Sequence, residues 1–121
     1  MVADALRRLV ALEGEYQELA RDAQEQLRIL RTQHSTTAAV VRLVDVDRAL
    51  RLYEEGLLSG EQLQEWAELL EMNDYVEYER EAEEAVARLL FSLSSPEINE
   101  PITRAVVRRM RASLKDRRAE G

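Results

Sequence analysis

The segment Ser59–Glu71, SGEQLQEWAELLE, determines the fold class because it both starts and carries an amphipathic helix. Ser59 and Gln62 have the spacing of a capping box, in which each side chain accepts a hydrogen bond from the other residue's backbone amide. Leu58 before the cap and Leu63 after it are spaced as a hydrophobic staple. The apolar positions recur at helical spacing and predict one buried face: Leu63, Trp66, Ala67 and Leu70.

Upstream of this helix, the first thirty residues contain a heptad repeat. The positions that form its seam are apolar or aromatic, and Glu13 is the only charged residue among them. The pattern predicts one long helix over residues 1–33, followed by a compact helical domain over residues 37–118 in a single folding unit. Two arrangements stay open: this helix packs on its own domain, or two copies pair through the heptad seam. The seam residues expected to pair in a homodimer are Leu6, Leu9, Tyr16, Leu27 and Leu30.

The stretch His34–Ala39 interrupts the periodic pattern, and His34 is expected at a helix end. A second helix is predicted within residues 37–55, with Gly56 as its left-handed cap. A shorter version capped by an aspartate is equally compatible with the pattern, and the candidate caps are Asp45 and Asp47.

Downstream, Asp74 and Glu77 repeat the capping-box spacing and predict a helix that ends before Pro96. Thr103 has the position of an N-cap for a last helix. No segment shows the alternation that is typical of a strand. The sequence therefore predicts an all-α fold, a five-helix bundle with a long heptad-patterned helix at its N-terminus.

The charges are distributed unevenly along the chain. Residues 54–100 hold fourteen acidic and two basic side chains, a net charge of −12, whereas residues 102–121 hold seven basic and two acidic ones. Cysteine is absent, and no apolar run has the length of a membrane span or of a signal sequence. We expect a cytoplasmic protein without membrane contact, and the acidic segment argues against nucleic acid as a partner.

The sequence offers no set of residues for catalysis or for a cofactor. Its single histidine, His34, has no partner pattern for metal binding or for nucleophilic catalysis, and no glycine-rich phosphate loop is present. Glutamates that share a helix face are expected at this acidic density without any catalytic role. We therefore expect no enzyme activity, no metal and no cofactor.

Two motifs resemble a family of small, mostly uncharacterised bacterial proteins. Leu63, Trp66 and Ala67 match its "Leu-x-x-Trp-Ala" motif, and Pro96–Thr103 matches its "Pro-Glu-Ile-Asn-x-Pro" motif. The resemblance covers about the C-terminal 60–65% of the chain. At the acidic turn, Asn73 stands where the family usually has arginine before aspartate. Some members resemble immunity proteins, so the resemblance implies a helical protein that neutralises a toxin.

The functional hypothesis is a non-enzymatic module of the immunity or antitoxin kind, whose acidic surface masks a basic partner protein. The alternative is a structural or assembly subunit that self-associates through the N-terminal helix. We call the predicted partner-binding set the acidic surface: Glu65, Glu68, Glu71, Asp74, Glu77, Glu81 and Glu84, with Tyr75 and Tyr78 as aromatic anchors.

Overall fold

A computed structural model of the chain describes residues 4–33, 37–71 and 73–120. Within these residues the protein is mainly helical, as predicted, but it has six α-helices rather than five, a two-stranded sheet and one 3₁₀ turn. The α-helices are α1 (Ala5–Ala11), α2 (Tyr16–Gln33), α3 (Leu43–Glu54), α4 (Gly60–Glu71), α5 (Glu83–Ser94) and α6 (Arg104–Glu120). The strands are β1 (Ala39–Val41) and β2 (Val76–Tyr78), and the 3₁₀ turn is Arg80–Ala82.

The long helix predicted for residues 1–33 is wrong, because the chain turns between α1 and α2. Leu12 closes α1 in a left-handed conformation with φ +52°. Gly14 follows with φ +145°, a value that side chains rarely allow. The carboxylate of Glu15 then starts α2 by accepting hydrogen bonds from two backbone amides, those of Gln17 and Glu18.

This turn folds the heptad positions of α1 against those of α2 within one chain. Leu6 and Leu9 are fully buried, and the Leu6 amide donates to Oε1 of Gln26 on α2 at 2.7 Å. The indole Nε1 of Trp66 on α4 donates to the Leu9 carbonyl at 2.9 Å. Burying the apolar seam inside one molecule therefore outweighs the continuity of the helical pattern. The first heptad residue, Val2, and the predicted helix end at His34 lie outside the described residues.

The prediction that strands are missing is also wrong, since β1 and β2 pair in parallel with Val40 opposite Glu77. The helix predicted to open at Asp74 does not form there; α5 begins nine residues later, at Glu83. Pairing with β1 favours the strand, and Asn73 is compatible with it, because its side-chain oxygen accepts the Tyr75 amide at 2.9 Å in a turn that leads into β2.

Helix α3 lies within residues 37–55, as predicted, and the shorter version capped by Asp45 or Asp47 is wrong because the helix begins before either aspartate. Arg42 is the N-cap, and Oδ2 of Asp45 accepts its backbone amide at 2.9 Å. Oε2 of Glu79, just after β2, accepts the Leu43 amide at 2.6 Å and so joins the sheet to this helix. Gly56 ends the segment with φ +79°, which confirms the predicted left-handed cap.

The remaining helix signals are confirmed. Ser59 and Gln62 exchange both capping-box hydrogen bonds at 3.0 Å, and Trp66 is fully buried at the centre of the core. Helix α5 ends at Ser94, just before Pro96, and packs against α4. Thr103 Oγ1 accepts an amide of α6 at 3.2 Å, and that helix packs on α3. The core thus holds α4 rigidly and leaves its polar face outward.

Candidate partner-binding surface

Glu65, the first member of the acidic surface on α4, lines a cleft between α4 and α2. The cleft has a volume of about 420 Å³ and is lined on the α4 side by Ser59, Glu61, Gln62 and Glu65. From α2, the hydroxyl of Tyr16 donates to Oε1 of Glu65 at 2.9 Å. Burial of the ring, and then this hydrogen bond, raise the pKa of Tyr16 above its usual value. The phenol therefore stays protonated and holds one acidic side chain in place.

A second cleft continues between the same two helices, with a volume of about 230 Å³. Glu68, Asp74 and Tyr75 of the predicted set line it together with Arg31 of α2. Glu68 and Asp74 are exposed, whereas Tyr75 is half-buried and packs partly on the core. This cleft therefore joins two carboxylates and one of the predicted aromatic anchors to a basic side chain that the sequence analysis did not select.

A third cleft, of about 460 Å³, lies along β2 and is lined by Val76, Glu77, Tyr78, Arg80 and Glu83. Glu77 is exposed, and Tyr78 is half-buried with its ring against the core. Burial, and then the nearby negative charge of Glu71, raise the pKa of Tyr78. Among the described residues, none lines more than one of these three clefts. The predicted set is therefore divided among separate depressions rather than gathered in one.

The other three members of the set differ in their surroundings. Glu81 and Glu84 are exposed. Glu71 is half-buried, and the hydroxyl of buried Ser94 on α5 donates to its Oε1 at 2.8 Å. Glu71 thus links α4 to α5 and has less freedom than its neighbours to meet a partner.

The carboxylates of the acidic surface lack the close ion pairs found elsewhere among the described residues. Among the residues that the structure describes, none of the seven forms an ion pair with an arginine or lysine side chain. The basic α6 behaves differently, because Arg111 binds both Asp47 and Glu54 at 3.0 Å and Arg109 pairs with Glu100. These internal pairs lie on the α6 side, so the unbalanced negative charge stays on α4, β2 and the start of α5.

The residues predicted for self-association lie mainly in the chain's own core. Leu6 and Leu9 are fully buried, Tyr16 and Leu30 are buried, and Leu27 is half-buried. Pairing of two copies through these side chains would require α1 and α2 to separate. A homodimer through this seam stays a prediction, but the chain already satisfies the seam by itself.

Sequence reasoning missed the residues that complete these clefts. The heptad pattern puts Arg21 and Arg31 in one long helix, and the capping-box spacing at Asp74 puts Glu83 in the middle of a later helix. None of the three was therefore expected beside the acidic surface. The signal that would have identified the strands is their content of β-branched and aromatic residues: Val40 and Val41 in one, and Val76 and Tyr78 in the other.

In residues 4–33, 37–71 and 73–120, no group of three or more acidic or histidine side chains is arranged to hold a metal ion. No helix in these ranges combines the length and the apolar character that crossing a membrane requires. The arrangement found is a charged surface with shallow clefts rather than a closed pocket.

Comparison with known proteins adds no further constraint on the function. No family model, no curated protein sequence and no solved structure matches this chain.

Proposed function

We propose that this protein is a non-enzymatic binding module of the immunity or antitoxin kind, whose acidic surface masks a basic partner protein in the cytoplasm. The observation that carries the proposal is the absence, among the described residues, of ion pairs at the seven carboxylates of that surface, while Arg111 and Arg109 pair elsewhere. Charge left unpaired on a folded surface attracts a partner of opposite sign and raises its association rate.

Two further observations support a protein partner. Tyr75 and Tyr78 are half-buried beside the exposed carboxylates, so each offers part of an aromatic ring on a rigid base. The side-chain oxygen of Asn73 fixes the backbone at Tyr75, and the pairing of β2 with β1 fixes the strand that carries Tyr78. The resemblance to a family with immunity-like members agrees with this kind of partner.

The test uses co-purification with the product of the adjacent gene, because immunity proteins are encoded beside their toxins. One variant carries Glu77→Lys, Glu81→Lys and Glu84→Lys. The matched control carries Glu13→Lys, Glu18→Lys and Glu55→Lys, which are exposed positions outside the acidic surface and change the net charge equally. Stopped-flow association rates are measured over a range of ionic strengths, and circular dichroism verifies that both variants fold.

We expect the first variant to slow association by about tenfold or more at low salt and to flatten its dependence on ionic strength. The control should change the rate much less. Equal losses in the two variants would mean that only net charge matters, and an unchanged rate in the first would contradict the proposal.

A further inference from the structure

Among the residues that the structure describes, strand β2 pairs through only one of its two edges. The Ala39 amide donates to the Tyr75 carbonyl at 3.3 Å, and the Glu79 amide donates to the Val41 carbonyl at 2.9 Å. Together with the register of Val40 opposite Glu77, these bonds place both backbone groups of Glu77 toward β1. Because successive residues of a strand point their backbone groups to opposite edges, Val76 and Tyr78 point away from β1.

Three backbone groups on this outer edge have no hydrogen-bond partner among the described residues: the amide of Tyr78 and the carbonyls of Val76 and Tyr78. The amide of Val76 is already used, since it donates to the Asn73 carbonyl at 3.2 Å. One donor flanked by two acceptors is the arrangement that a further strand can satisfy.

The outer edge borders open space. The third cleft, of about 460 Å³, is lined by all three residues of β2 and by Arg80 and Glu83 just beyond it. No other strand covers this edge within the described part of the chain, because the sheet there has two strands. An extended segment therefore has both unpaired backbone groups and room beside them.

The charges around the edge select the occupant. Glu77 is exposed on the outer face of the sheet, and exposed Glu81, Glu83 and Glu84 follow within the next helical turns. Arg80 is the only basic residue among the described residues that line the cleft. Pairing of β2 with a second copy of itself would bring glutamates together, which is unfavourable, whereas lysine or arginine opposite Glu77 is favourable.

We propose that the outer edge of β2 receives an extended, lysine- or arginine-bearing segment of the partner protein as a third strand of the sheet. This inference rests on the proposed function and specifies how the partner is held: three main-chain hydrogen bonds fix the segment, and Glu77 faces one of its basic side chains.

The test uses nuclear magnetic resonance with the full chain and a defined peptide, acetyl-Lys-Val-Lys-Val-Lys-Val-amide. Two analogues of equal charge are compared with it, one N-methylated at the lysines and one at the valines. If the segment runs parallel to β2, its lysines direct their amides toward β2 while facing Glu77. If it runs antiparallel, the valines direct their amides toward β2, opposite Tyr78.

We expect the unmodified peptide to shift the resonances of Glu77 and Tyr78 and to slow hydrogen exchange at the Tyr78 amide. One analogue should lose about tenfold or more in affinity, because its methyl groups remove the bonding donors, while the other should bind nearly unchanged. Equal behaviour of the two analogues, whether both bind or both fail, would overturn the proposal. So would a peptide that leaves the Tyr78 amide unprotected.

This result can be separated from a failure of the proposed function. If the peptide test fails while the partner protein still binds with the charge dependence described above, the acidic surface recognises its partner without strand pairing. If Glu77→Lys, Glu81→Lys and Glu84→Lys leave the partner's association unchanged, the proposed function itself fails, whatever the peptide does.

Discussion

Replacing Gly14 with alanine should destabilise the protein, and the sign of this effect distinguishes the observed turn from the continuous helix that the heptad pattern predicts. Gly14 lies between α1 and α2 with φ +145°. In a continuous helix the same substitution would remove a poor helix former and would stabilise the protein by about 1 kcal/mol. The two structures therefore predict effects of opposite sign.

The magnitude follows from the surroundings of the new methyl group. A Cβ at position 14 would lie 3.6 Å from Cδ2 of Leu19, an ordinary contact, so the cost comes from the backbone rather than from a clash. Holding a non-glycine residue in such a conformation costs about 1–3 kcal/mol. Alanine also restricts the unfolded chain, which offsets about 0.4–1 kcal/mol of this cost. We expect a net loss of about 1–2 kcal/mol in the free energy of unfolding.

The assay is urea denaturation followed by circular dichroism and by the fluorescence of Trp66. Gly60→Ala is the matched control, because Gly60 begins α4 with ordinary helical geometry. Its Cβ would meet Tyr53 and Ile102 at 3.7 and 3.8 Å, so the change should be neutral or stabilising. A Gly14→Ala protein at least as stable as the wild type would refute the turn and restore the long helix.

Two further predictions concern the contacts that α1 and α2 make with α4. Trp66→Phe should lower the free energy of unfolding by roughly 2 kcal/mol, as seen by circular dichroism, because it removes buried ring atoms and the donor to Leu9; a loss well below 1 kcal/mol would contradict the central position of the indole. The raised pKa of Tyr16 means that the folded state keeps a proton that the unfolded chain loses above pH about 10, so stability should fall as pH rises beyond that value. Tyr16→Phe, which also removes the hydrogen bond to Glu65, should make the urea midpoint fall less steeply between about pH 9 and 11. Some of the fall should remain, because the pKa of Tyr78 is raised too. A slope equal to that of the wild type would exclude Tyr16 as a source of the pH dependence.

The acidic surface could be predicted from the sequence as a set of charges but not as a shape. Glu68, Asp74 and Glu77 are exposed because carboxylates without a partner stay in water. Glu68 and Asp74 share a cleft that exists only because α2, from a distant part of the chain, lies alongside, whereas Glu77 lines a separate cleft along β2. The strand edge at Tyr78 depends on β1 in the same way, since it exists only when Ala39–Val41 lies alongside.

Local signals decided the elements whose stabilising groups are close in sequence. The capping box at Ser59, the left-handed cap at Gly56 and the buried face around Trp66 are fixed by residues within one or two turns, so the sequence alone identified them. The charge separation between the middle of the chain and α6 was likewise visible as composition.

Tertiary structure alone decided the turn at Gly14 and the conversion of Val76–Tyr78 from predicted helix to strand. In both places the local pattern allowed a helix, and long-range contacts favoured another conformation: burial of the α1 seam against α2 and α4, and parallel pairing with β1. The physical reason is that local propensities differ by only about 1 kcal/mol or less per residue, which the burial of a few leucines exceeds.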